Sequence, residues 1–200
     1  MRGVGCAALL LLASSGASTA ALAGPAAIAV SVSRESYPIR GKTGDQLLEA
    51  MDRRGPKHGL LTRAIAQTRY SVGWDITWAA NGGVCRVETA NAKLLITYTY
   101  PEVAGGVPPA LKSRWATFMR GVVHHEENHG KMARDMVADA ERAVSKIAIR
   151  NDPGCAKARA ETKRRADAIY ARYEQRQVQF DVREHSAGGN VDRLIARLRG

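Results

Sequence analysis

Two histidines and a glutamate are spaced for metal chemistry in the stretch from Phe118 to Met136, FMRGVVHHEENHGKMARDM. On a helix, His125 and His129 share one face because they lie four residues apart, and Glu126 directly follows the first histidine. This spacing brings two imidazole nitrogens to a common point, as tetrahedral Zn²⁺ requires, and sets the carboxylate beside the open position of the metal. A carboxylate there can take a proton from a metal-acidified water. The sequence therefore predicts His125 and His129 as zinc ligands and Glu126 as the catalytic base.

The position of this motif on its helix argues against a chance match. Apolar residues recur at three- and four-residue steps on both sides of it, and the histidines interrupt that stripe between Val122 and Met132. Each buried polar group without a partner would cost about 1–3 kcal/mol, and a metal with its water removes that cost. The alternative is a pair of histidines that other hydrogen bonds satisfy. His124 points off the shared face and is not predicted to be a ligand.

A third protein ligand must come from elsewhere in the chain. His185, in FDVREHSAGG, is the predicted third ligand, because a second helix precedes it and can fold back to the site. Asp135 and Glu141 lie on the motif helix, but neither returns to the histidine face unless the helix breaks near Gly130. The alternatives that remain open as the third ligand are Asp135, Asp181, Glu141 and His58.

The elements around the motif indicate an α+β fold. Residues 27–39 read as a strand, and residues 41–55 as a short helix with Thr43 as its N-cap and Gln46 in the capping-box position. Residues 69–78 alternate in hydrophobicity with period two, and residues 84–101 add one or two more strands. Two long helices follow, separated by the breaker NDPG, and the second is expected to end at Phe180. We expect a small antiparallel sheet packed on the motif helix plus a second long C-terminal helix, a zincin-like arrangement.

The N-terminal residues predict export. A basic start, the apolar run VGCAALLLL and the pattern Ala-Leu-Ala form a secretory signal peptide over residues 1–23, followed by one domain over residues 24–200. The apolar run is too short to span a bilayer comfortably, so we expect no transmembrane segment after cleavage. The mature protein would then be secreted or periplasmic. There Cys85 and Cys155 are predicted to form a disulfide, with two free buried thiols as the alternative.

The formal net charge of +11 favours attraction to anionic envelope surfaces. The basic residues are spread along the chain, without an aromatic platform or finger spacing. The sequence therefore predicts no specific nucleic-acid partner.

Several segments, in their order along the chain, resemble a known bacterial family. They are YPIRGKTGDQLLEAM, TRYSVGWDITW, Cys85, Tyr100-Pro101, Trp115, Phe118, HEENH, Cys155 and QFDVREHS. From about residue 36 to residue 189 the chain is similar to a family of secreted zinc-dependent proteases that is labelled a domain of unknown function. The resemblance implies a zincin-like metallopeptidase with His125 and His129 as ligands and Glu126 as base. It also implies that Cys85 and Cys155 matter together.

We therefore expect zinc-dependent hydrolysis of peptide bonds in a peptide or protein substrate. One rival is amide hydrolysis in cell-wall peptides, and another is a basic envelope-binding module whose motif is structural or degenerate. By its order in the chain, the stretch from Leu94 to Tyr100 is the candidate edge strand for peptide binding, with an ordinary sheet strand as the alternative. A tyrosine could steady the tetrahedral intermediate, and six tyrosines compete for that role.

Overall fold

The computed structural model describes residues 28–58 and 62–200, apart from the side chains of residues 58 and 62. The predicted signal peptide, residues 1–23, lies outside the described residues. The elements in chain order are β1 (Ala29–Ile39), α1 (Gly44–Arg54), β2 (Lys57–His58), β3 (Thr62–Arg63), β4 (Gln67–Asn81), β5 (Val84–Val103), α2 (Lys112–Val144), β6 (Ala148–Arg150), α3 (Ala156–His185) and α4 (Asn190–Arg199).

The sheet is mixed, with β5 at its centre. β4 pairs with β5 in antiparallel fashion, and the two strands are joined by a turn at Gly82 and Gly83. β1 pairs with β5 in parallel. β6 pairs in antiparallel fashion with the first residues of β5. The α+β class is confirmed, but the prediction of a wholly antiparallel sheet is wrong. The chain between β1 and β5 contains α1 and β4, and a connection of that length permits a parallel pair.

One face of the sheet packs on the helices. The alternating apolar residues of β4 are half-buried as predicted, and they are Val72, Trp74, Ile76 and Trp78. On β5, Leu94, Ile96 and Tyr98 are buried in a cluster that also holds Met136 and Val137 of α2. β5 is a single strand that continues through Pro101. These contacts hold α2 across the sheet in a fixed orientation.

The motif helix α2 is continuous from Lys112 to Val144. Gly130 does not break it, and a Cβ atom at this position would lie 1.9 Å from the hydroxyl oxygen of Tyr98. The glycine therefore allows the central strand to approach the helix one residue after His129. The backbone of Gly130 is helical, a conformation that any residue can adopt. A glycine is needed here only because a side chain would collide with Tyr98.

Replacing Gly130 by alanine is expected to destabilise the fold by about 1–3 kcal/mol, because the added methyl group overpacks against the buried Tyr98. Urea unfolding of the purified protein measures the difference. Gly73 of β4 is the matched control, since a Cβ there meets nothing within 4 Å and its alanine variant should lose little. Adding Tyr98→Phe removes the nearest atom and should recover part of the loss. A Gly130→Ala protein as stable as wild type would contradict this account.

The second long helix folds back along α2, as the sequence predicted. Cys85, the second residue of β5, forms a disulfide with Cys155, which directly precedes α3. Asp152 caps this helix by accepting hydrogen bonds from the backbone N–H groups of Lys157 and Ala158. α3 ends at His185, five residues beyond the predicted end at Phe180. Among the described residues, no helix is both long and apolar enough to cross a membrane.

Candidate metal centre

Three side-chain atoms meet where α2 faces the C-terminal turns of α3. The Nε2 atom of His129 lies 3.2 Å from Nε2 of His125 and 2.8 Å from Oδ1 of Asp181. The Nε2 atom of His125 lies 3.2 Å from the same carboxylate oxygen. Around a tetrahedral zinc with bonds of 2.0–2.2 Å, the ligand atoms are about 3.3 Å apart. The three atoms are therefore close enough to share one metal ion after a small widening of the 2.8 Å contact, and their donor types suit one.

Gln177 on α3 determines which nitrogen of His129 faces this group. Its amide Nε2 donates to the backbone carbonyl of His129 at 3.2 Å, so its Oε1 faces the Nδ1 atom of His129 at 2.5 Å. An oxygen there accepts from Nδ1–H, so a neutral His129 carries its lone pair on Nε2. That lone pair points at Asp181 and His125. Three electron-rich atoms in contact repel one another unless a proton or a metal cation lies between them.

The electrostatics of the site also favour a cation. Burial lowers the pKa of His129, but hydrogen bonds with Asp181 and Gln177 outweigh it, so the pKa is raised overall. Burial raises the pKa of Asp181, yet its hydrogen bonds with the two histidines hold that pKa well below its ordinary value. A carboxylate that stays ionised next to a histidine that retains a proton marks a position suited to positive charge. A metal ion takes the same position as that proton when it binds.

The second nitrogen of His125 is buried and lacks a hydrogen bond among the described residues. The nearest carboxylate oxygen is Oε2 of Glu184, 3.8 Å from Nδ1. Phe180 stacks on the ring with centroids 4.9 Å apart, so the imidazole cannot easily turn to another acceptor. Histidines that bind metals usually donate their other N–H to a carboxylate or carbonyl. Glu184 is the carboxylate on that side of the ring, at a separation longer than a hydrogen bond.

His185, the predicted third ligand, lies on the exposed side of the site. Ligand atoms of His185, His125 and Asp181 all lie within 4.8 Å of one another. Asp181 and His125 thus belong to two overlapping groups. The tighter group is completed by His129, and the wider one by His185. The structure brings both His185 and the alternative Asp181 to the site, and the shorter separations belong to Asp181.

The other candidates lie elsewhere. Asp135 pairs with Lys131 at 2.8 Å on a solvent-exposed part of α2. Because α2 is unbroken, Glu141 is about 18 Å along the axis from His129. His124 is exposed, as predicted. The side chain of His58 lies outside the described part of the chain.

Glu126 is buried beside the three converging atoms and is held by Thr68 of β4. The hydroxyl of Thr68 donates at 2.6 Å to Oε2 of Glu126 and lies 3.1 Å from its backbone carbonyl. Burial raises the pKa of Glu126, and this effect exceeds the opposing effects of the Thr68 hydrogen bond and the histidines. The side chain therefore has a raised affinity for a proton, as a general base of this kind requires.

A family model described as a bacterial protein of unknown function, DUF922, matches residues 34–189. The chain belongs to the DUF922 family. No curated protein and no solved structure matches the chain. The family description names no activity. The DUF922 match includes every residue of the candidate centre, from Thr68 to His185.

The candidate centre opens into a cavity of about 640 Å³. α2 contributes Val122, His125, Glu126 and His129 to its lining, and α3 contributes six residues between Glu174 and His185. Residues 63–68 and Tyr70 line it from the sheet side. Cavities of this size hold small molecules or a few residues of a peptide.

Three groups at this DUF922 site were missed from the sequence alone, and they are Gln177, Thr68 and Glu184. Gln177 lies four residues before Asp181 and eight before His185, and this one-face pattern becomes visible only if the second helix continues past Phe180. The sequence contained only a weak indication of Thr68, which is a polar residue on the same face of β4 as the apolar Val72. Glu184 had no signal, because its role depends on how α3 packs.

Proposed function

We propose that this protein is a zinc-dependent hydrolase of peptide bonds, with Asp181 as the third ligand beside His125 and His129. One observation carries the proposal: three lone-pair atoms lie within 3.2 Å of one another, next to the buried carboxylate of Glu126. His185 faces the cavity at the open side of this group. The disulfide and the predicted signal peptide support an exported, periplasmic or secreted protein.

A bound zinc ion would supply an acidified water and a positive charge that polarises the scissile carbonyl. Glu126 accepts the proton of the attacking water, and Thr68 holds one carboxylate oxygen so that the other is free for this transfer. The same carboxyl can then return the proton to the leaving amine. Gln177 keeps the Nδ1–H of His129 occupied, so its Nε2 stays directed at the site.

The route of the peptide differs from the one predicted. The stretch from Leu94 to Tyr100 is part of the central strand β5, paired on both sides, so the prediction that it is an edge strand is wrong. Among the described strands, β4 pairs only with β5, and its residues Thr68 and Tyr70 line the cavity. We propose that the substrate backbone lies along this free edge of β4.

Tyr70 is the tyrosine best placed to contact a substrate. It lines the cavity and is partly exposed, whereas Tyr98 is buried beneath α2. Tyr37 donates its hydroxyl to the backbone carbonyl of Ile65 and is thereby occupied. Because Tyr70 is the tyrosine that lines the cavity, we propose that it steadies the oxyanion.

Metal analysis of the purified protein tests the centre. We expect about one zinc per chain, and we expect Asp181→Ala to weaken zinc binding more than about 100-fold, because a ligand matters more than the outer-shell groups that cost 10–100-fold. His185→Ala should retain zinc. Competition with a chromophoric chelator measures both affinities.

The opposite ranking of these two variants would return the third-ligand role to His185. A zinc content near zero in wild type, not restored by added zinc, would contradict the proposed function. In that case the basic envelope-binding module becomes the better account. If zinc is bound but only cell-wall peptides are cleaved, the protein is an amidase with the same centre.

A further inference from the structure

Two valines interrupt the polar surface of α3. Val178 and Val182 are 57% and 66% exposed, although the positions beside them carry exposed polar groups such as Arg176, Gln179 and Arg183. Valine is also a poor helix former, because its branched side chain loses rotamer freedom against the preceding turn. Neither valine therefore stabilises α3, either by packing against the core or by a high helix propensity. Exposed apolar residues indicate a binding surface when they are part of a larger apolar patch.

Both valines line the cavity of the candidate centre. Val178 directly follows Gln177, and Val182 directly follows Asp181, so the pair is one step around the helix from the metal-facing side chains. Other walls of the same cavity are also apolar and are made by Ala64, Ile65, Ala66, Val122 and Val191. The apolar surface is thus continuous with the proposed site of hydrolysis.

We propose that Val178 and Val182 form a subsite for a bulky apolar side chain, such as that of leucine or phenylalanine, next to the scissile bond of a peptide substrate. This inference rests on the proposed function and names its substrate class. The apolar side chain would cover the two exposed valines and remove their surface from water. An acidic or amide side chain at the same position would lose hydration against the valines without gaining a hydrogen bond, so we expect it to bind less well.

A second copy of this chain is the other occupant such a surface could have. The two valines, however, belong to the wall of a concave cavity that also contains Glu126 and the histidines. A flat surface of another copy would reach them poorly, whereas an extended peptide on the edge of β4 would pass them. The position of the pair therefore favours a substrate side chain.

The test compares cleavage of matched peptides that differ at one position beside the cleaved bond, with phenylalanine, leucine, asparagine or glutamate there. We expect wild type to prefer the apolar peptides by about 10–100-fold in kcat/KM. The double variant Val178→Asn with Val182→Asn should lose most of this preference through KM, with kcat, zinc content and unfolding midpoint nearly unchanged. Asparagine and valine have similar helix propensities, so α3 should persist.

Val32→Asn is the matched control, because Val32 is an exposed valine on β1 that does not line the cavity. Its kinetics should equal those of wild type. If wild type cleaves peptides without an apolar preference, or if the double variant keeps that preference, the subsite is disproved while the proposed hydrolysis stands. A change of oligomeric state in the double variant, with unchanged selectivity, would assign the valines to an interface between copies.

A binding measurement separates this inference from the proposed function. Fluorescence anisotropy with the labelled phenylalanine and glutamate peptides reports affinity even when no bond is cleaved. Tighter binding of the phenylalanine peptide, lost in the double variant and kept in Val32→Asn, would support the subsite although hydrolysis had failed. Equal binding of both peptides, or no binding of either, would overturn it.

Discussion

Glu126→Gln is expected to lower kcat for peptide hydrolysis by about 10²–10⁴-fold, the usual contribution of a general base, while zinc remains bound. Glutamine has nearly the same shape and can still accept the hydrogen bond from Thr68 through its amide oxygen. It cannot take up the proton of the attacking water. Because Glu126 is not one of the three converging atoms, the metal ligands should stay in place.

The measurement is kcat on a cleaved peptide together with the zinc content of the same preparation. Glu127→Gln is the matched control, since Glu127 is the next residue, lies on the exposed side of α2 and pairs only loosely with Arg34 at 3.6 Å. It should leave both quantities unchanged. Full activity of Glu126→Gln would refute the proposed mechanism. Loss of zinc from that variant would instead assign Glu126 to metal binding.

The part of the site that could be predicted is the part that one helix supplies. His125, Glu126 and His129 are related by helical periodicity alone, which needs no knowledge of the rest of the fold. Asp181 and His185 reach the same point only because α3 packs on α2 with a particular register. Sequence spacing does not contain that register, so the choice between these two residues depends on the structure.

The fold shows the same division between local and long-range information. Alternation identified the strand faces of β4, and the cysteine count identified the pair Cys85 and Cys155. Alternation specifies neither the direction of a strand nor its neighbours, so the parallel pairing of β1 and the central place of β5 were not predicted. Gly130 was considered as a break in the helix, yet its role is the close approach of Tyr98.

Removing the disulfide with Cys85→Ala and Cys155→Ala is expected to destabilise the protein by about 4 kcal/mol. The two cysteines are 70 residues apart in sequence, and a crosslink that closes a loop of this length restricts the unfolded chain by roughly that amount. The loop contains most of β5 and all of α2, which carries His125 and His129. Alanine avoids leaving a hydroxyl group in the apolar cluster around the bridge. Urea unfolding of the double variant against oxidised wild type measures the loss.

The variant should nevertheless keep its zinc affinity well below its unfolding midpoint. Asp181 is 26 residues beyond Cys155 on a continuous helix, which places the bridge about 39 Å along the axis from the candidate centre. A large loss of stability with intact zinc binding would show that the bridge fixes the far end of α3 and that local packing with Gln177 and Phe180 holds the centre. Reduced wild type is the control and should unfold like the double variant. If the double variant unfolds at the wild-type urea concentration, the bridge contributes nothing and the loop-entropy argument is wrong for this protein.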